Sequence, residues 1–385
     1  MRLGIDASNL RAGGGLTHLI ELLRAAIPQS SGFESVVIWA CAATLEQLPA
    51  RRWLELRTEA ALERSPVRRA LWQRFRLGSL ARDAGCDVLF VPGGTVVTSF
   101  RPVVTMSRNM LPFEADQLLR FGLSRQTFRL ALLRLTQARS VRRADGVIFL
   151  TQYAQRRVSA VAGGCRGRVT IIPHGVDARF ISAPRVPRAL ADCSVERPFR
   201  LLYVSIVDVY KNHPQVAEAV ASLRLEGIPV SIQFIGPAYP PALRVLNRTL
   251  ERLDPSRDFI RYSGPVPYAE LHAAYADADL VVFASSCENM PNILIEGMAS
   301  GVAVASSNRG PMPEVLANAG GYFDPQDPKS IARTLREMLL NPRLRESYAA
   351  QSSARARSYS WPRCAEDTFA FLAAVTKGRR ATILR

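Results

Sequence analysis

The chain has 385 residues, 48% hydrophobic and 22% charged, the balance of an ordinary globular protein rather than a disordered or fibrous one. At roughly 150 residues per domain, that length points to two domains and argues against a single core. Lysine and arginine total 50 against 33 acidic residues, a formal charge of +17, which favours a polyanionic partner: nucleic acid, an anionic lipid surface or a phosphorylated substrate. No apolar run reaches the roughly 18 residues of a membrane span. Met1-Arg2 leads to Asp6 without the apolar stretch of a signal peptide, so a cytoplasmic protein is expected. Six cysteines without a Cys-x-x-Cys pair and four histidines make no ligand cluster at zinc spacing; they read as reduced thiols, and no metal is expected.

In chain order, β-rich runs fall at 2–6, 35–40, 87–91, 103–106, 146–150 and 169–172, with helix-length segments between most of them. The rhythm restarts at 199–206 and continues at 230–235, 259–262, 280–283, 302–305 and 321–323. Runs that are apolar throughout suit strands covered on both faces, and alternation with helices implies right-handed crossovers in a parallel sheet. The expected fold is therefore α/β, with two Rossmann-like doubly wound units facing across a cleft. The proline- and arginine-bearing stretch 182–198 has linker composition. It divides an N-terminal domain, 1–181, from a C-terminal domain, 199–358, and the last helical segment, 359–385, is placed as crossing back to the first domain.

Ligands of such sheets bind outside the carboxyl ends of the strands, and four segments there carry chemistry. Gly13, Gly14 and Gly15 follow the first strand and open a helix. Their backbone can approach an anion closely, although the spacing is not the dinucleotide fingerprint and a plain flexible loop fits it too. Lys211, one of only three lysines among 50 basic residues, follows the strand at 201–206 and can reach a diphosphate as a point charge; a solvated surface lysine is the alternative.

In the third segment, Glu288 lies in a strand-to-helix loop and Glu296 in the helix that follows, with Pro291 expected in its first turn. The carboxylates can accept hydrogen bonds from sugar or ribose hydroxyls while the amides of Asn292 and Ile293 suit a phosphate; simple complementation of the helix dipole remains open. The fourth segment, Ser306 to Glu314, is expected to wall the same pocket, with no catalytic role for Arg309. Asp277 and Asp279 form an Asp-x-Asp, but at the amino edge of a strand, and read as structural.

With Glu288 and Glu296 eight apart inside CENMPNILIEGMASGVAVASS, the chain resembles glycosyltransferase family 4, a retaining GT-B family that uses nucleotide sugars, in the variant form of bacterial cell-surface polysaccharide transferases. RNMLPFE at 108–114, RRADGVIFLTQYA at 142–154, IIPHGVD at 171–177, YVSIVDVYKN at 203–212 and YSW at 359–361 keep the family order. The resemblance implies that Lys211 and the amides around Gly14 and Gly15 hold the donor diphosphate. It also implies that Glu288 contacts sugar hydroxyls, that Glu296 binds the ribose, and that Gly236 and Val266 lie near the base. Retention without a metal is implied too, with no cofactor beyond the nucleotide diphosphate sugar as substrate.

Ser205 stands where many members carry an arginine, and Asn289-Met290-Pro291 replaces the common Gly-Phe-Gly. Arg108 and Asn109 occupy the stretch where some members place a histidine; they are the acceptor-side candidates, and Arg108 or Arg309 is expected to compensate for Ser205. The acceptor is expected to be a hydroxyl of a glycan or lipid-linked oligosaccharide. Arginine-rich segments at 64–82 and 120–143 point to an anionic membrane surface. A nucleotide-sugar epimerase is the enzymatic rival. A nucleic-acid binder is prompted by charge alone and lacks any recognition motif, so no nucleic acid is expected.

Overall fold

A computed structural model describes residues 1–383. The chain divides into two compact units, one built from Met1–Leu118, Leu123–Gly175 and the segment from Ser360 onward, the other from Leu119–Gly122 and Val176–Tyr359.

The first unit holds seven parallel strands: β1 (Arg2–Asp6), β2 (Ser35–Trp39), β3 (Leu54–Arg57), β4 (Val88–Val91), β5 (Val103–Met106), β6 (Gly146–Phe149) and β7 (Arg168–Ile171). Their order is β3-β2-β1-β4-β5-β6-β7, so the direction of winding reverses between β1 and β4. Strands β4, β5 and β6 are buried at every position, as expected where helices cover both faces. The final helix, Trp361–Ile383, packs on the helix Gly14–Ala25 and lies so close to β6 that a Cβ on Gly146 would come within 2.9 Å of Val375.

The second unit holds six parallel strands: β8 (Phe199–Val204), β9 (Val230–Ile235), β10 (Ile260–Tyr262), β11 (Leu280–Phe283), β12 (Ala303–Ser307) and β13 (Gly321–Phe323), in the order β10-β9-β8-β11-β12-β13. Here the switch falls between β8 and β11. A ligand placed outside the carboxyl edge meets the loops that leave both strands.

Two features differ from the sequence reading. The edge strand β3 was not expected: its four residues are at most half-buried, so it lacks the apolar run that marks the central strands. The stretch 182–198 is packed on the second unit rather than running free. Ser182 N–H donates to the Ala299 carbonyl at 2.9 Å and Arg185 N–H to that of Gly301 at 2.9 Å. The Arg185 guanidinium donates to the carbonyls of Tyr275 and Ala278, both at 3.0 Å, satisfying carbonyls left open where the helix Leu271–Asp277 ends.

Candidate active site

Lys211 sits where β8 gives way to the helix His213–Leu225, in a short 3₁₀ turn that Asp208 caps through Val209 N–H at 2.7 Å. Four hydrogen bonds fix the turn. The Tyr203 hydroxyl donates to the Lys211 carbonyl at 2.8 Å. Asn212, in the left-handed region at φ 53°, a conformation its short polar side chain tolerates, donates through Nδ2 to the Ala284 carbonyl at 2.7 Å and to Ser286 Oγ at 2.7 Å. Ser286 N–H donates to the Tyr210 carbonyl at 2.8 Å. The loops after β8 and β11 are thereby laced together.

Within that frame, the Lys211 ammonium donates to Glu288 Oε1. It also lies 5.2 Å from the Tyr210 ring centre and 5.5 Å from that of Phe283, a placement that favours a desolvated cation. Lys211 is 6% exposed, which excludes the solvated surface lysine of the alternative reading. His213 stacks on Tyr203 at 4.6 Å, and burial, with Lys211 nearby, pushes its pKa down to about 3. His213 is thus a neutral imidazole beside the Lys211 ammonium.

Glu296 is fully enclosed in the helix Asn292–Ala299. Its carboxyl faces two tyrosines, Tyr268 Oη donating to Oε1 at 3.1 Å and Tyr275 Oη to Oε2 at 3.4 Å. Burial raises its pKa to about 8 despite those two donors, with Asp177 adding to the rise and Arg179 opposing it. Tyr268 is two residues beyond Val266, so the half-buried Val266 loop that follows β10 reaches the Glu296 pocket. Phe180 closes the other side, its ring 5.5 Å from Tyr268 and 5.7 Å from Tyr275.

The other residues singled out in this unit line the same carboxyl edge. Ser205 follows β8 directly, buried, with its hydroxyl donating to the Ile206 carbonyl at 3.2 Å. Gly236 follows β9 and donates to the Gly264 carbonyl at 2.9 Å, beyond β10. Pro291 stands before the helix as its cap rather than in its first turn. The amides of Asn292 and Ile293 are then among the first of the helix, which intrahelical bonds leave open. Lys211 and Glu288 are brought into contact, while the Glu296 carboxyl is bonded to Tyr268 and Tyr275 instead. Arg309 pairs with Asp324 at 2.7 Å on the surface, which commits it elsewhere. At the opposite edge, Asp279 accepts from Arg200 N–H at 2.8 Å and pairs with Arg188 at 3.2 Å, a structural role.

In the first unit, Gly13 adopts φ 69° and the helix begins at Gly14. Arg108 lies beneath this turn, its guanidinium donating to the carbonyls of Gly14 and Gly15. Burial lowers its pKa to about 10. Two enclosed histidines, His18 and His174, meet edge to face at 4.6 Å with Trp361 beside both. Asn109 accepts from Leu111 N–H at 3.1 Å, so its side chain shapes its own turn. Asp6, buried at the end of β1, accepts from Ser8 N–H at 3.1 Å and from Gln73.

Sequence reasoning missed Tyr203, Asn212, Tyr268 and Tyr275, which position the named residues. Only Tyr203 and Asn212 fell inside a quoted motif.

Residues 12–180 match the family model Glycosyltransferase Family 4 and residues 194–355 match Glycosyl transferases group 1. The chain belongs to glycosyltransferase family 4. O-antigen chain mannosyltransferase B of Escherichia coli is 30% identical over 199 residues, covering 49% of this chain and 51% of that one. This family 4 chain thus spans about half the length of the curated relatives it matches. Among solved structures, WaaG, a glycosyltransferase involved in lipopolysaccharide biosynthesis, is similar at TM-score 0.70 and 15% identity, with 97% of this chain and 99% of that one covered. Anabaena HepE, solved in complex with UDP-glucose, is similar at TM-score 0.67 and 18% identity, with 98% and 100% covered. The fold is that of the GT-B glycosyltransferases.

Proposed function

We propose that this family 4 chain is a glycosyltransferase that moves a sugar from a nucleotide diphosphate sugar to a hydroxyl of a glycan or lipid-linked oligosaccharide in cell-surface polysaccharide synthesis. The observation that carries the reading is the Lys211–Glu288 pair, formed where β8 and β11 deliver their loops to one point. The mannosyltransferase relative and the nucleotide-sugar complex of HepE support donor and product class.

In this reading Lys211 neutralises the charge that builds on the departing diphosphate, with the amides of Asn292 and Ile293 as further donors. Glu288 holds the ammonium in place before the donor arrives and accepts from a sugar hydroxyl once the ammonium turns to phosphate. Glu296 accepts from the ribose, Gly236 and Val266 lie near the base, and Ser205 takes the donor-side place of the family arginine. The amides of Gly14 and Gly15 offer the first unit's contribution to phosphate. The leaving diphosphate and incoming hydroxyl share one face of the sugar, giving retention, and fixed cations and amides supply the charge that a divalent ion would otherwise bring. The protein works on the cytoplasmic side, against an anionic membrane surface.

The test is release of nucleoside diphosphate from a panel of nucleotide sugars with a glycan acceptor, in EDTA, with the product anomer read by NMR. Lys211→Ala is expected to lower turnover by about 10²–10³-fold, the range for losing one transition-state donor. Isomerisation of the donor without acceptor would instead identify an epimerase, and a salt-sensitive shift of generic DNA a nucleic-acid binder.

A further inference from the structure

Two helices of the first unit turn apolar stripes to solvent. In the helix Pro66–Phe75, Val67, Leu71 and Phe75 recur at four-residue spacing; in the helix Arg125–Arg143, Phe128, Leu132 and Leu135 do the same at spacings of four and three. These six side chains are between 52% and 75% exposed, the reverse of a helix that covers a core. Beside the first stripe lies a hollow of about 490 Å³, floored by Leu71, Trp72 and Phe75 and rimmed by Arg64 and Arg68.

The loop between β4 and β5 touches the longer helix and the helix Leu77–Asp83 that follows the shorter one. Ser140 Oγ, on the longer helix, accepts from Val96 N–H at 2.8 Å. Gly78, just beyond the shorter one, lies against Thr98 and Ser99, where a Cβ would come within 3.3 Å.

Charge says what covers them. Residues 64–82 contain six arginines and residues 123–143 another six, with no aspartate or glutamate in either stretch. Arg64, Arg68, Arg125 and Arg129 have no acidic partner among the described residues. No described helix is long and apolar enough to cross a membrane, so the stripes can lie on a bilayer without entering it as a span. A moderately apolar stripe set among unpaired arginines matches the boundary between acyl chains and anionic headgroups, where the rings and branched chains enter and the guanidinia meet phosphate.

We propose that the exposed stripes of the helices Pro66–Phe75 and Arg125–Arg143 dock the protein on an anionic lipid bilayer, with Leu71, Phe75, Phe128 and Leu132 as the inserted side chains. The proposal rests on the membrane-side placement in the functional reading and names the surface that achieves it.

Vesicle sedimentation tests it, comparing phosphatidylglycerol-containing vesicles with pure phosphatidylcholine. The full chain is expected to pellet with the former, progressively less as salt screens the arginines, and to stay in solution with the latter. L71S/F75S/F128S/L132S and, separately, R64Q/R68Q/R125Q/R129Q are each expected to lose at least five-fold in binding. All eight positions are on the surface, so thermal stability should hold. Equal binding to both vesicle types, no binding, or variants that bind like the parent would overturn the proposal. So would a dimer in sedimentation velocity that the apolar variant dissolves, since the stripes would then join two copies. Nucleoside diphosphate affinity and donor turnover on a water-soluble acceptor, measured without vesicles, report on the transferase reading alone.

Discussion

The Lys211 ammonium rests on the Glu288 carboxylate across 77 positions of sequence, because β8 and β11 are neighbours in the sheet although β9 and β10 separate them in the chain. Side-chain exposure of 8% and 17% places the pair largely out of water. Removing one partner leaves a charge without compensation, whereas removing both takes away the desolvation cost as well.

A double-mutant cycle should therefore be strongly non-additive. Lys211→Met and Glu288→Gln are each expected to lower unfolding free energy by about 3 kcal/mol, and the double variant to recover more than half of that. Urea denaturation measures it; additive losses would mean that the pair is not coupled. Added GDP or UDP should stabilise the parent but not Lys211→Met, since only binding to the folded state raises stability.

Glu296 makes a pH-dependent prediction. Its folded pKa of about 8 lies above the ordinary value of 4.5, so between those values the folded chain holds a proton that the unfolded chain has released. Stability from this group is complete below the unfolded value and is lost as pH rises through about 8. Glu296→Gln keeps a neutral, hydrogen-bonding side chain at every pH. Its melting temperature should exceed the parent's by roughly 3 °C at pH 8.5 and match it near pH 5, as a differential scanning series will show. Ribose hydroxyls would donate to the ionised form, so nucleotide binding should release a proton near neutral pH. Calorimetry in two buffers of different ionisation enthalpy detects that release, and the variant should not show it.

The parallel strands were legible because β4, β6, β8 and β11 are apolar and buried through most or all of their length. β3 was not, since an edge strand with exposed positions looks like loop. Lys211 and Glu288 could each be placed after a strand, yet their contact depends on strand order, which residue spacing does not contain. The tyrosines around Glu296 lie 28 and 21 positions upstream; only the fold of the β10 loop and of the helix Leu271–Asp277 brings them there. The stretch 182–198 was misread because its prolines suit a tether and a packed strap equally, while the carbonyls that hold Arg185 lie some 90 positions away.

Arg108 separates support from stability. Its guanidinium is tied to the carbonyls of Gly14 and Gly15 and shifted down by burial, a costly environment for a cation. Arg108→Met should leave the melting temperature within a few degrees of the parent, the lost hydrogen bonds being offset by relief of desolvation. The glycine turn, no longer braced, should raise the donor KM about ten-fold with a smaller change in kcat. A drop in kcat alone would place Arg108 at the reacting atoms instead.

Gly236 gives the most severe single substitution. Its φ of 147° lies outside the range that side-chain-bearing residues adopt readily, and a Cβ there would come to 2.1 Å from the Ser205 carbonyl oxygen. Neither backbone can yield cheaply. Gly236 N–H donates to the Gly264 carbonyl at 2.9 Å, the Tyr262 hydroxyl donates to the Gly236 carbonyl at 2.9 Å, and Ser205 N–H is bonded to the Ile235 carbonyl at 2.8 Å. Gly236→Ala must push the loops after β8 and β9 apart, at about 3 kcal/mol for overpacking and strain together. The displaced residues include Ser205 and, through the loop beyond β10, the neighbourhood of Val266. Urea denaturation should show the loss in stability, and nucleotide affinity should fall with it even at temperatures where the variant remains folded. Alanine at Gly227, which also has positive φ, at 81°, but open space around it, should cost about 1 kcal/mol and leave nucleotide affinity unchanged. That contrast separates strain at the site from strain elsewhere in the same unit.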